Sequence, residues 1–181
     1  MAAPSRVTEV KGDLFQIPPD GAALIQACNC RGTWGGGIAR TFAVKYPAAY
    51  KVYTAFCLDF WKNPHYLTTS RVPYGEFEVK LPEGHTLIIP PQKEDYEKPQ
   101  GRKHWVICLF TSYEFGKRKA AVDVILRNTE LALADMKAQL PEHEINGLYT
   151  CQINAGLFNV PWPRTKKLLE ELDLDITVVA P

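Results

Sequence analysis

The chain has 181 residues, 46% of them hydrophobic and 23% charged, with a formal net charge of +1. This composition suits one globular domain with a sizeable core, and the near-neutral balance excludes general nucleic-acid affinity, which rests on many phosphate-neutralising cations. No run is long or apolar enough for a membrane span. The start, MAAPSRVTEV, lacks the apolar stretch of a secretory leader, and five cysteines, an odd number that includes the close pair Cys28 and Cys30, point to a reduced intracellular compartment.

Residues 6–11, RVTEVK, alternate as a strand does, and Gly12-Asp13 ends them. Pro18-Pro19-Asp20-Gly21 signals a turn. Residues 22–28 read as a second strand, apolar enough to be buried on both faces. The chain then passes through Asn29 into a loop with Gly35, Gly36 and Gly37. A helix is expected over 37–45, stopped before Pro47. Pro47 suits the first turn of a second helix reaching residue 60, with Tyr50, Tyr53, Phe56 and Cys57 at helical spacing. From 61 to 103 the pattern is poorer. It suggests two short strands, near 76–80 and 86–89, and a polar surface loop over 94–102.

Residues 104–111, HWVICLFT, read as an apolar central strand. Residues 119–140 are the clearest amphipathic helix, with Val122, Ile125, Leu126, Leu133 and Met136 on its apolar side. A buried strand over 148–153 leads into Asn154-Ala155-Gly156, a helix over 161–172 follows, and 176–179 form a last strand. This alternation implies an α/β sandwich, a mostly parallel sheet with helices on both faces. Ligands of such folds sit outside the carboxyl ends of the strands. Three loops stand at such ends: Gly12-Asp13-Leu14, residues 29–37 and residues 154–159.

A strand, a glycine loop and a helix start make an anion site, because glycine lets the backbone approach a ligand and the first helical N–H groups have no intrahelical partner. The usual fingerprints do not describe this one. A Walker loop ending at Gly116-Lys117 needs glycine where Thr111 stands, and a dinucleotide loop starting at Gly35 needs Gly or Ala where Arg40 stands. GxSxG is absent. His65, His85, His104 and His143 show neither HExxH nor helical pairing, and the cysteines lack metal-ligand spacing, so neither metal nor cofactor is expected. Cys28 and Cys30 are either nucleophiles or packing residues at a strand end. The Asn29 amide, with donors and an acceptor, suits hydroxyl groups. Asp13 either accepts from an amine or closes a turn. Trp34 either covers a ligand or anchors its loop, and Phe158 either flanks a sugar or fills core. The cluster Lys117-Arg118-Lys119 reads as a solvated helix start.

Together these residues resemble the macrodomain family, which binds ADP-ribose. The resemblance is carried by Val10-Lys11-Gly12-Asp13-Leu14, by Ala27-Cys28-Asn29 with Gly35-Gly36-Gly37-Ile38-Ala39, and by Ile153-Asn154-Ala155-Gly156-Leu157-Phe158-Asn159-Val160-Pro161-Trp162. CNCRGTWGGGIA and INAGLFNVPW are more narrowly similar to the fungal ADP-ribose 1''-phosphate phosphatase branch. The resemblance implies one three-layer α/β/α macrodomain over residues 1–181, with a core over 6–179 and a mixed, mostly parallel central sheet. It implies that Asp13 accepts from the adenine amino group beside the Leu14 N–H and that Asn29 holds the distal ribose or orients a water. It further implies that residues 34–39 wrap the distal ribose and one phosphate, and that residues 154–159 close over the diphosphate. The implied activity is hydrolysis of ADP-ribose 1''-phosphate. The alternatives are a reader without turnover and a glycohydrolase acting on ADP-ribosylated protein. A related branch of the second kind uses a Lys and an Asp; this chain has Ser112-Tyr113 and Phe158 there.

Overall fold

The two most apolar runs of the chain lie side by side at the centre of a sheet. The computed structural model describes residues 6–181. In chain order the elements are β1 (Val7–Lys11), β2 (Ala23–Asn29), α1 (Gly37–Lys45), α2 (Pro47–Lys62), β3 (Tyr66–Arg71), β4 (Gly75–Lys80), β5 (Thr86–Ile89), α3 (Lys93–Tyr96), β6 (Trp105–Ser112), α4 (Val122–Gln139), β7 (Leu148–Thr150), α5 (Trp162–Glu170) and β8 (Ile176–Ala180). Six strands form one sheet in the order β1-β8-β7-β2-β6-β5. Every pairing in it is parallel except that of β5 with β6.

Strand period two divides the core into two layers. Leu24, Cys28, Val106, Cys108 and Phe110 face α1 and α2 and meet Phe42, Tyr53 and Cys57. Ala23, Ile25, Ile107 and Leu109 face α4 and α5 and meet Leu133, Met136 and Leu169. Helices thus cover both faces, giving the three-layer α/β/α sandwich. β2 is buried along almost its whole length, as a central parallel strand requires.

Four expectations are corrected by the structure. β3 is a strand although its side chains are mostly exposed; its partner is β4, register Tyr66 to Lys80, in a separate two-stranded sheet. Strand β7 stops at Thr150, not 153, and α4 starts at Val122, not 119. The polar stretch 94–102 is not wholly surface loop. Asp95 is buried in α3, and its carboxylate oxygens accept from the Ala48 N–H at 2.8 Å and the Ala49 N–H at 3.0 Å. These are orphan donors of the first turn of α2. Pro47 has no N–H, and the Tyr50 N–H bonds Tyr46 O at 2.9 Å, so the helix start is satisfied. Asp95→Ala is expected to lower the unfolding free energy by about 1–3 kcal/mol, read from the urea midpoint, because it strands two buried donors.

The loop after β1 is anchored from β6. His104, at the entry to that strand, is buried; Nε2 lies 3.0 Å from Pro18 O and Nδ1 2.7 Å from the Tyr46 hydroxyl. The neutral tautomer donating to Pro18 and accepting from Tyr46 satisfies both contacts. Burial holds the His104 pKa below its ordinary value. As pH falls below about 6.5 the unfolded chain takes up a proton that the folded one refuses, so stability should decline with falling pH from there. Thermal melts from pH 7 to 5 should show that slope, and His104→Gln, which keeps one donor and one acceptor, should flatten it.

Candidate functional site

All the parallel strands end on one edge of the sandwich, and the loops leaving them build the candidate site. The loop after β1 carries Asp13. It is separated from the glycine loop after β2 by three inter-strand gaps, β1-β8-β7-β2, about 14 Å. The loop after β7 lies between them.

At the β1 end, Gly12 has φ +152, a conformation that favours glycine, and a methyl built on it would lie 2.4 Å from Ile17 Cδ1, so that side chain would have to turn aside. Asp13 is exposed, with Oδ1 accepting from the Phe15 N–H at 2.9 Å. The Asp13 carbonyl accepts from the N–H groups of Gln16 and Ile17. Leu14 and Phe15 then turn down into the core, and Phe15 meets Phe42 edge-on at 4.9 Å. The turn therefore displays a carboxylate above an apolar floor.

At the β2 end, the Asn29 side chain organises its own loop. Nδ2 donates to Thr33 O at 2.7 Å, and Oδ1 accepts from the Arg31 N–H at 2.9 Å. The Tyr53 hydroxyl bonds Asn29 O at 2.6 Å, with Oδ1 3.0 Å away. One Nδ2 hydrogen is left for a ligand. Trp34 anchors the loop: its ring is 2% exposed, stacked on Tyr50 at 4.9 Å and on Tyr53 at 4.8 Å. The Trp34 N–H donates to the Tyr50 hydroxyl at 3.1 Å. What this loop presents outward is backbone, Gly35 to Gly37, followed by the first turn of α1 at Ile38 and Ala39. Gly36 caps that helix without a side-chain bond, leaving N–H groups directed outward.

The third loop is pinned by a buried polar network. Ile153 is buried, and Asn154 adopts the left-handed conformation, φ +66. Its Oδ1 accepts from the Thr111 hydroxyl and its Nδ2 donates to Thr129 Oγ1, both at 2.9 Å. Asn128 Nδ2 donates to Thr111 O at 3.1 Å. Ala155 and Gly156 lead to Leu157, which is 70% exposed and reaches across to the glycine loop; a methyl on Gly36 would sit 2.9 Å from Leu157 Cδ1. Phe158, half-buried, packs beside Ile125, Leu126 and Val160. Asn159 is also left-handed, φ +56, and Pro161 caps α5.

The sequence pattern missed the supports: Thr111, Asn128 and Thr129 under Asn154, and Tyr50 and Tyr53 under Trp34 and Asn29. Polar residues inside the apolar stripe of α4 were the available signal. Both Cys28 and Cys30 are buried, with 2% and 1% exposure, and all five thiols are free. Burial pushes Cys57 and Cys151 up to about 12 and raises Cys30 and Cys108 as well, which disfavours the thiolate a nucleophile needs. The glycine loop and the 154–159 loop approach each other at Gly36 and Leu157, with the Asn29 amide beside them and the Asp13 carboxylate at the β1 end of the same edge. A cavity of about 380 Å³ opens at the opposite ends of β1, β7 and β8, beside Arg6, Thr8 and Tyr149, away from all three loops. Its Arg6 is already paired with Asp173 and Asp175.

The fold is that of solved macrodomains. The macrodomain of Mycobacterium tuberculosis DarG superposes with a TM-score of 0.69 at 19% identity, covering 97% of both chains. Thermosipho africanus DarTG in complex with ADP-ribose gives 0.67 at 16% identity, covering 96% of this chain and 42% of that one. No family model matches the chain. In sequence it is 49% identical to the ADP-ribose 1''-phosphate phosphatase of Aspergillus fumigatus, over 98% of this chain and 95% of that protein. It is 50% identical to the one of Aspergillus oryzae, over 99% and 96%. The chain belongs to the ADP-ribose 1''-phosphate phosphatase family.

Proposed function

We propose that this protein hydrolyses ADP-ribose 1''-phosphate, with water attacking phosphorus and the bond from phosphorus to the C1'' oxygen breaking to give ADP-ribose and phosphate. The observation that carries the reading is near-half identity, along almost the entire chain, to proteins of that name. The groove supports it. Asp13 would accept from the adenine amino group, with the Leu14 N–H beside it and the apolar floor beneath. The backbone of residues 35–39 and of 154–159, with the starts of α1 and α5, would spread the diphosphate charge over fixed donors. The remaining Nδ2 hydrogen of Asn29 would orient the distal ribose or the attacking water. Ala27 and Cys28 would hold Asn29 at the strand end. Among the described residues no helix is long and apolar enough to cross a membrane, and we place the protein inside the cell.

The Lys/Asp glycohydrolase route finds no support in the residues at the aligned positions. The Ser112 hydroxyl is committed to Glu114 O at 2.7 Å and the Ala120 N–H at 3.0 Å, and Phe158 carries no ionisable group. Phosphate release from ADP-ribose 1''-phosphate, measured beside ADP-ribose release from a modified protein, tests the proposal. Phosphate alone supports it; ADP-ribose release without phosphate release, or tight ADP-ribose binding with neither product, overturns it. Asp13→Ala is expected to weaken ADP-ribose binding about tenfold by calorimetry, the worth of one charge-assisted hydrogen bond. Unchanged affinity would remove Asp13 from the adenine site.

A further inference from the structure

Between β6 and α4 the chain makes a tight turn, Gly116–Arg118, carrying Lys117 and Arg118, with Lys119 next. Both of its flanks are tied to the loops of the groove. Upstream, Tyr113 O accepts from the Cys30 N–H at 3.0 Å, one residue beyond Asn29. Downstream, Ala120 packs in the same apolar cluster as Phe158, and the Ala120 N–H is held by Ser112 Oγ at 3.0 Å. The turn therefore lies on the β6 side of both loops, one strand beyond Asn29. The carboxylates nearest it in sequence are engaged elsewhere, Glu114 with Arg31 at 3.6 Å and Asp123 with Arg164 at 3.1 Å. Lys117 and Arg118 are exposed, and neither they nor Lys119 forms an ion pair among the described residues. In a chain of formal net charge +1, three adjacent unpaired cations make a local field and not a general basicity.

A ligand laid along the strand ends from Asp13 to Asn29 spans about 14 Å, and whatever its distal ribose carries at C1'' continues toward β6. ADP-ribose and its 1''-phosphate differ only there, by a phosphomonoester of about −1.5 to −2 charges at neutral pH. We infer that the basic turn Lys117-Arg118-Lys119 is the specificity determinant for that terminal phosphomonoester, drawing in the phosphorylated ligand in preference to ADP-ribose. The inference rests on the phosphatase reading and assigns the turn no contact with the reacting atoms. Hydrolysis removes the group that the turn attracts, so the same charges favour exchange of product for substrate.

The test uses the full chain and the triple variant K117A/R118A/K119A, with circular dichroism to verify folding. The KM for ADP-ribose 1''-phosphate is expected to rise about tenfold, with kcat little changed and most of its salt dependence lost. The Kd for ADP-ribose is expected to stay within about twofold. The charge-keeping variant K117R/K119R should restore the low KM. An unchanged KM, or a KM and an ADP-ribose Kd that rise together, overturns the inference. If the unaltered chain releases no phosphate, the phosphatase reading fails by itself, and calorimetry with the two intact ligands still decides. Tighter binding of the phosphorylated ligand by the unaltered chain but not by the triple variant supports the turn; equal binding by the unaltered chain overturns it.

Discussion

Trp34→Ala is expected to lower the unfolding free energy by about 3–5 kcal/mol, the usual range for truncating a fully buried aromatic. Domains of this kind have about 5–15 kcal/mol in total, so the variant should sit close to the threshold of folding. The ring packs against both Tyr50 and Tyr53, whose own rings lie 6.3 Å apart, and also meets Phe42 at 6.0 Å, so its removal empties the junction of α1, α2 and the glycine loop. Its indole nitrogen has no hydrogen-bond partner among the described residues. Trp34→Phe therefore loses area but strands no donor, and should cost well under half as much. Urea unfolding of both variants checks this. A loss below about 1 kcal/mol for the alanine variant would mean that Trp34 is not the anchor of the loop.

Gly36→Leu should do the opposite, leaving the fold intact and removing the site. Gly36 has φ −150 and ψ 164, extended backbone open to any residue, so the substitution brings no conformational strain. Its side chain would fill the space between the two facing loops, where even a methyl would stand 2.9 Å from Leu157 Cδ1. ADP-ribose affinity by calorimetry should fall at least about a hundredfold, about 2.7 kcal/mol, with a urea midpoint near that of the unaltered chain. Gly36→Ala should lose much less, since the methyl meets only the end of an exposed side chain that can turn aside. Normal binding by the leucine variant would place the ligand away from the two loops.

Much of this architecture was legible locally. Residues 22–28 and 104–111 are continuous apolar runs, and both became buried central strands. The apolar positions Ile125, Leu126, Leu133 and Met136 repeat at helical spacing, and all are buried in α4. The glycine loop announced an anion site through residue type alone, and the motifs around Asp13, Asn29 and Asn154 pointed to the macrodomain family. The β3 strand was illegible because its faces are both largely exposed; only hydrogen bonds to β4 make it a strand. The ring of Trp34 looked equally suited to covering a ligand or holding a loop, and its environment, supplied by residues of α2, decides for the loop.

Period, turn chemistry and residue type act within a few positions of one another, and they are enough to settle most of the strands and helices, a mostly parallel sheet and the three loops at its edge, but not β3 or α3. Other features depend on groups brought together from far along the chain: Asp95 capping α2, Thr111 and Thr129 pinning Asn154, and Leu157 facing Gly36. Hydrogen bonds and packing across such separations leave no local pattern. The folded chain therefore decides which polar residues support the groove and which remain free to face a ligand.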